Sequence, residues 1–136
     1  MTAVHPITIV GGGLAGLTLG VALRQRDVPV TLYEAGSYPR HRVCGEFICG
    51  RGIDALHTLG LYPKFVAAGA VEARSASFCE EARRYRPKVL PRVALCLSRH
   101  TMDRLLAEEF QRLGGELRQR ERFTGSPYPA GVVRAT

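Results

Sequence analysis

A glycine-rich turn near the start of the chain holds the residues best suited to bind a phosphate. The turn has G-x-G-x-x-G spacing and reads Gly11-Gly12-Gly13-Leu14-Ala15-Gly16. Gly11 permits a tight turn, Gly13 lets backbone approach a pyrophosphate, and Gly16 lets a helix pack closely on a strand. The backbone N–H groups of Leu14 and Ala15 would then lie at a helix N-terminus, whose positive end attracts phosphate. The pattern therefore predicts dinucleotide binding.

A carboxylate stands at the position where such a turn needs one. Glu34 ends the second predicted strand, eighteen positions after Gly16, where it can accept hydrogen bonds from an adenosine ribose. A carboxylate there disfavours a 2′-phosphate, so FAD or NAD is preferred over NADP. The alternative is a turn that serves geometry only, with Glu34 as a solvated strand end. The ordered succession of strand, turn, helix, strand and acid favours dinucleotide binding.

A β-α-β unit over residues 6–34 must position these groups. The β-branched run from Ile7 to Val10 predicts a buried strand, Leu14 to Arg26 predicts a helix packed on a sheet, and Val28 to Tyr33 predicts a second buried strand. This order implies a right-handed crossover between parallel strands. The predicted fold class is α/β with a Rossmann-like FAD/NAD(P)-binding fold.

The rest of the chain predicts a partial β-rich insertion and one more helix. Residues 36–61 are expected to form a long loop and a short helix that Gly60 ends, and residues 71–97 to hold partial strands that Pro91 interrupts. An apolar stripe predicts a helix over residues 101–113, with glycines after it as the stop. No linker separates two complete domains, so we expect the 136 residues to be a portion of one domain.

Composition excludes several classes of protein. The chain has 19 Lys+Arg against 12 Asp+Glu, a net charge of +7. The arginines are scattered and are not interleaved with aromatic residues, so no nucleic-acid partner is expected, although an anionic cofactor could use the charge. No stretch reaches the roughly 20 apolar residues of a membrane span. We expect a cytoplasmic protein without an integral membrane segment.

The cysteines do not predict a metal site. None of the four forms a C-x-x-C pair, and we therefore expect neither zinc nor a redox disulfide. Cys44, which lies among arginines and next to a glycine, is the one whose thiol could be reactive. We expect Cys49, Cys79 and Cys96 to be small buried residues. Zinc-hydrolase and serine-nucleophile motifs are absent from the sequence.

Three later segments carry motifs of their own. The first is residues 39–47, which contain Arg42-Val43-Cys44-Gly45-Glu46 and precede a helix that ends in Leu59-Gly60-Leu61. The second is residues 97–106, with the spacing Arg-x-x-x-Asp-x-x-Leu from Arg99. The third is residues 132–136, a strand-like run that ends in Ala-Thr. Together these segments resemble flavoprotein monooxygenases of the p-hydroxybenzoate hydroxylase class and the related geranylgeranyl reductase family, in which the last strand runs into an Ala-Thr-Gly turn. The resemblance covers almost the whole chain and implies FAD.

The resemblance also implies roles for individual residues. Gly11, Gly13, Gly16 and Glu34 would hold the ADP half of FAD. Arg99 would lie near the pyrophosphate or the ribityl chain, and a guanidinium offers paired donors to phosphate. The approach to the isoalloxazine would be lined by Arg42, Cys44 and Gly45. The alternatives are that Arg99 caps or flanks its helix and that Arg42 is a solvated loop cation.

In related flavoproteins a later Gly-Asp segment completes the FAD site, and this chain stops before it. We therefore hypothesise that residues 1–136 are the N-terminal portion of an FAD-binding domain, whose fold a missing C-terminal segment would complete, and that the chain alone holds FAD weakly. The expected function is the FAD-binding portion of an oxidoreductase, monooxygenase-like or reductase-like, acting on a small hydrophobic or aromatic molecule. NAD(P)H would be the reductant of the full-length protein. The alternatives are a non-catalytic NAD-binding or adenine-nucleotide-binding module, and an inactive remnant.

Overall fold

The structure, a computed structural model, describes residues 4–44 and 46–125, and the backbone of 132–134. The chain divides into two compact units, one made of Met1–Arg42 with Arg99–Thr136, the other of Val43–Ser98. The first unit thus consists of two separate segments of the chain, and the second unit is the insertion between them.

The first unit is a four-stranded parallel sheet with helices. Its elements are β1 (Ile7–Val10), α1 (Leu14–Arg24), β2 (Val30–Glu34), α4 (Arg99–Arg112), β8 (Glu116–Gln119) and β9 (Val132–Arg134). The strand order is β8-β2-β1-β9, and all three pairings are parallel. Counted in chain order within this sheet, the strands run 3-2-1-4, the order of a Rossmann fold.

The two helices of this unit pack together through a glycine. Gly20 is buried in α1, and a Cβ added to it would lie 2.9 Å from the Phe110 ring of α4. The core beneath them includes Ile9 and Leu32, which are both fully buried. The apolar stripe of α4 continues along Met102, Leu106, Ala107 and Phe110. A glycine in the interior of α1 therefore serves close helix packing.

The second unit is a small antiparallel sheet with two short helices. Its elements are β3 (Phe47–Ile48), α2 (Arg51–Thr58), α3 (Tyr62–Ala67), β4 (Val71–Ala76), β5 (Cys79–Glu80), β6 (Arg83–Arg84) and β7 (Lys88–Cys96). The strands β3, β7 and β4 form one sheet in that order, and β5 pairs with β6 in a separate hairpin. This unit is the β-rich insertion that the sequence predicts.

Several predicted boundaries differ from those of the structure. The strand β3 lies inside the stretch expected to be a loop, and α3 follows α2 where no helix was predicted. The strand β7 runs through Pro91, because its pairing with β4 shifts register between Ala73 and Ser75 and so leaves Pro91 in an irregularity of the ladder. The helix α4 begins at Arg99, two residues earlier than predicted.

The prediction that Cys49, Cys79 and Cys96 are buried is wrong. Cys49 and Cys79 are exposed and Cys96 is partly exposed, because Cys49 lies in the connection between β3 and α2 and Cys79 in the two-residue strand β5, both of whose residues are exposed. Cys44 is exposed as well. Among the described residues, no group of three or more His, Cys, Asp or Glu is arranged to hold a metal ion. No described helix is long and apolar enough to cross a membrane.

Candidate nucleotide-binding site

The glycine-rich turn lies where β1 passes into α1, at the carboxyl end of the sheet. Gly11 has a φ of 107°, a backbone conformation that side chains rarely adopt, so the tight turn predicted at this residue requires glycine. Gly13 is the N-cap of α1, and Leu14, Ala15 and Gly16 form the first turn, whose N–H groups have no acceptor within the helix. The free N–H groups of this turn therefore face the space beyond the carboxyl end of β1.

The environments of the three consecutive glycines differ. A Cβ added to Gly13 would meet no atom of the described residues within 4 Å, whereas one added to Gly12 would lie 1.9 Å from Tyr38 Oη and 3.0 Å from Glu34 Cβ. Gly13 therefore borders open space that a ligand could enter. Gly12 is a glycine because the protein itself fills the space beside it, and the spacing of the motif does not reveal this.

Glu34 ends β2 on its buried face. The side chains of β2 alternate in burial, with Val30, Leu32 and Glu34 buried and the two between them half-buried. This period of two carries the buried face to the end of the strand, so the last inward position holds a carboxylate. Oε2 of Glu34 accepts from the Gly12 backbone N–H at 2.8 Å, and Oε1 accepts from the Gly36 backbone N–H at 2.7 Å.

Arg40 is the principal partner of Glu34. Its Nη1 donates to Glu34 Oε1, and its Nη2 donates to Glu34 Oε2 at 3.1 Å and to the Gly12 carbonyl oxygen at 3.0 Å. Burial alone would raise the pKa of Glu34, but the hydrogen bonds from Arg40, Gly36 and Gly12 outweigh it and lower that pKa to about 2. The carboxylate is therefore charged across the whole physiological range.

Tyr38 closes the other side of the turn. Its hydroxyl donates to the Gly12 carbonyl oxygen, and the Arg40 guanidinium lies 5.0 Å from the centre of its ring. Burial, reinforced by the negative charge of Glu34, raises the pKa of Tyr38 well above its usual value. The phenol thus remains protonated and able to donate a hydrogen bond throughout the physiological range.

A second carboxylate connects this cluster to α4. Asp103 is fully buried, and its oxygens accept from Arg99 Nε at 3.0 Å and Arg99 Nη2 at 3.2 Å. Oδ2 of Asp103 also lies 3.6 Å from Arg40 Nε. The four charged side chains therefore form a chain of neighbours whose charges alternate in sign, in the order Glu34, Arg40, Asp103 and Arg99.

The predicted site residues are only partly brought together. The turn from Gly11 to Gly16 is joined to Glu34 by the hydrogen bond from the Gly12 N–H, and Arg99 is linked to Glu34 through Asp103 and Arg40. Arg42 is exposed. Cys44 is exposed in the second unit, and Gly45 lies outside the described residues.

Sequence analysis did not single out Tyr38, Arg40 or Asp103 as site residues. For Asp103 a signal existed, because it stands four residues after Arg99 and such pairs meet on one helix face. Arg40 and Tyr38 belong to an irregular loop, where spacing does not indicate which side chain turns inward. Composition could suggest only that some arginine would neutralise a buried Glu34.

Taken together, the fold and the site define a dinucleotide-binding protein of the Rossmann-like class. The family described as FAD binding domain matches residues 4–136, and the chain belongs to that family. The predicted family, the predicted Rossmann-like α/β fold and FAD as the cofactor are thereby confirmed. The alternative of an NAD-binding module is not favoured.

The chain is similar to several larger proteins. The structure of 2-methyl-3-hydroxypyridine-5-carboxylic acid oxygenase is 22% identical with a TM-score of 0.73, and the match covers 87% of this chain and 32% of that one. The myxobacterial chondrochloren halogenase CndH is 25% identical with a TM-score of 0.71, over 85% of this chain and 28% of that one. The chain thus spans about a third of the length of these flavoproteins.

A shorter sequence match concerns a different enzyme. The methylenetetrahydrofolate–tRNA-(uracil-5-)-methyltransferase TrmFO of Magnetococcus marinus is 42% identical over 52 residues, which are 35% of this chain and 12% of that protein. A match over so small a share of that protein does not indicate a shared activity. The residues present fit FAD, since Gly13 borders open space and Glu34 lies beside the turn as a charged acceptor.

Proposed function

We propose that this chain is the FAD-binding part of a flavin-dependent, monooxygenase-like oxidoreductase that acts on a small aromatic or hydrophobic molecule. The observation that carries the proposal is the joining of the Gly11–Gly16 turn to Glu34 by the hydrogen bond from Gly12, with open space beside Gly13. That arrangement offers donors for a pyrophosphate and a charged acceptor for ribose hydroxyls within one cluster.

The proposed division of labour follows from the chemistry of each group. Gly11, Gly13 and Gly16 with the N–H groups of Leu14 and Ala15 hold the pyrophosphate, while Glu34 holds the adenosine ribose. The flavin supplies the hydride and oxygen chemistry when it is bound. The residues of this chain bind and orient the flavin cofactor, and this role does not require any of them to act as a general base.

Roles for the remaining predicted residues are also part of the proposal. Arg99 is held by Asp103 in a two-point ion pair, so its guanidinium has a fixed orientation from which it can attract the pyrophosphate or ribityl region. Arg42 and Cys44 are exposed, which suits residues that line an approach to the isoalloxazine, and Gly45 is proposed to lie beside them on the resemblance alone. Oxidation of NAD(P)H would supply the reducing equivalents of the whole protein.

A titration of the purified chain tests the binding step. The flavin fluorescence of FAD should change on binding, and NAD should bind more weakly. Replacing Glu34 by alanine should weaken both nucleotides, because the ribose hydroxyls of each would lose their charged acceptor. Replacing Arg99 by alanine should weaken FAD alone. Glu108→Gln, a change in an exposed pair with Arg104, is the matched control and should leave both affinities unchanged.

Two outcomes would contradict the proposal. Equal affinity for NAD and FAD would favour an adenine-nucleotide module, since the flavin half would then contribute nothing. A melting temperature that neither nucleotide raises would favour an inactive remnant, because any ligand that binds only the folded state stabilises it. For the reaction, NAD(P)H oxidation and oxygen consumption by the whole protein with a panel of small aromatic acids separate hydroxylation from reduction.

A further inference from the structure

The acceptor positions of Glu34 are filled by the protein itself. A carboxylate offers about four lone-pair sites. On Oε1 they receive the Gly36 N–H and Arg40 Nη1, and on Oε2 they receive the Gly12 N–H and Arg40 Nη2. A ribose hydroxyl can donate to this carboxylate only after one of these four donors has moved away.

Of the four donors, only those of Arg40 can leave at low cost. The N–H groups of Gly12 and Gly36 belong to the backbone, and Gly12 is confined by Tyr38 and by Glu34 itself. Arg40 reaches Glu34 through a side chain with several rotatable bonds. The donors that yield to a ribose are therefore the two terminal nitrogens of this guanidinium.

A second acceptor lies within reach of the same guanidinium. Arg40 Nε is buried and makes no hydrogen bond within the part of the chain that the structure describes, and it lies 3.6 Å from Oδ2 of Asp103, slightly beyond hydrogen-bond range. A small movement away from Glu34 would close that gap. Since Asp103 is fully buried and each of its oxygens has a further lone pair beside the Arg99 contacts, it can accept the additional donor.

We propose that Arg40 stands in for the ribose while the nucleotide is absent, and that on binding it transfers from Glu34 to Asp103. This inference rests on the proposed role of Glu34 in holding the ribose. Arg40 is then a positioning residue that keeps the buried carboxylate paired and correctly turned in the empty state. Because Arg40 and Arg99 share the Asp103 carboxylate, this movement also makes the pairing of Arg99 depend on whether the ribose position is filled.

The test compares ADP with 2′,3′-dideoxy-ADP, because the ratio of their affinities measures the ribose hydroxyls alone. In the unsubstituted chain the affinity for ADP should exceed that for 2′,3′-dideoxy-ADP only slightly, since the hydroxyls must displace Arg40. In Arg40→Met the sites on Glu34 are open, so the ratio should rise by roughly tenfold, the effect of one hydrogen bond to a charged group. Loss of the positive charge weakens both nucleotides equally and cancels in the ratio. Arg104→Met, which removes an arginine from another carboxylate pair, is the control and should leave the ratio unchanged.

A spectroscopic readout covers the case in which Arg40→Met does not fold. In the unsubstituted chain, the Nε–H resonance of Arg40, assigned by its disappearance in Arg40→Lys, should move downfield and exchange more slowly when ADP saturates the protein. An unchanged resonance, or a ratio that stays level or falls in Arg40→Met, overturns the inference while leaving the proposed function intact. If ADP fails to bind the unsubstituted chain at all, the proposed function fails first.

Discussion

The backbone N–H of Gly12 donates to Oε2 of Glu34 at 2.8 Å, across 22 residues of sequence. This bond makes the turn and the acid one structural feature, although a motif describes them as two. It also explains why the second glycine of the turn cannot be exchanged freely. Gly12, the first x of G-x-G-x-x-G, is here the residue of the turn that approaches Glu34 most closely.

We expect Gly12→Ala to destabilise the protein by about 1–3 kcal/mol, the usual cost of forcing extra volume into a packed site. The added Cβ would collide with Tyr38 Oη and press on Glu34 Cβ. Urea denaturation measures the change. Combining it with Tyr38→Phe should recover part of the loss, because the atom in collision is removed, and strictly additive effects would refute this explanation.

Gly13→Ala should behave in the opposite way. Among residues 4–44 and 46–125, the new Cβ meets no atom within 4 Å, and the residue has an extended conformation that alanine adopts without strain, with a φ of −79° and a ψ of −174°. Stability should change by less than about 1 kcal/mol. Affinity for FAD should nevertheless fall at least tenfold, because the methyl group enters the space proposed for the pyrophosphate. If a calorimetric titration showed unchanged affinity for FAD, the pyrophosphate would have to bind at another place.

Glu34 should make the stability of the protein fall in acid. Its pKa is 4.5 when unperturbed and about 2 in the folded state. A carboxyl with a lowered pKa stabilises the fold fully above pH 4.5, and that contribution is lost as pH falls towards 2. The difference in unfolding free energy between the unsubstituted chain and Glu34→Gln should therefore be larger at pH 7 than at pH 3. A difference that is the same at both values would contradict the assigned pKa.

Asp103→Asn should be among the most damaging single changes in the first unit. It leaves Arg99 and Arg40 without the charge that compensates them in a buried position, and breaking such a pair costs about 3 kcal/mol or more. Glu108→Gln alters an exposed pair on the same helix and should cost less than about 1 kcal/mol. Chemical denaturation of both variants, side by side, measures the contrast. Equal losses would mean that Asp103 is not the centre of the charge cluster.

Gly20→Ala should separate the two helices of the first unit. The new Cβ would lie 2.9 Å from the ring of Phe110, too close for the helices to keep their present distance. We expect a loss of about 1–3 kcal/mol in unfolding free energy. Phe110→Leu leaves a smaller side chain opposite, so the double variant should be less destabilised than the two single changes predict together. Thermal unfolding followed by circular dichroism detects both effects.

The sequence predicts the first unit well because each step there has a strong local signal. The run from Ile7 to Val10, the glycine turn and the acid at residue 34 follow one another at spacings that few other folds require. The parallel pairing of β1 with β2 then follows from the handedness of the connection. Glycine is also conspicuous at Gly60 and Gly114, which adopt positive φ angles of 68° and 79° after α2 and α4.

The partners of Glu34 could not be predicted in the same way. Arg40 and Tyr38 act through a loop whose path depends on the strands around it, so no period in the sequence marks which of the neighbouring arginines turns inward. Asp103 had a visible i, i+4 relation to Arg99, but the link from Asp103 to Arg40 joins segments that only the folded sheet brings together. The second unit was difficult for a related reason, since strands of two residues carry no alternation.

The pairing of β2 with β8 has a consequence for how the protein acquires its structure. Thr31 and Glu116 are aligned in that ladder, so the whole of the second unit lies in the loop that the pairing closes. Closing so long a loop costs entropy before any contact repays it, and folds dominated by such distant pairings form slowly. During synthesis, residues 4–34 leave the ribosome first and can complete their pairings only after Asp103 and β8 have emerged. The Glu34 cluster is therefore completed late in synthesis, after every residue of the insertion has been made.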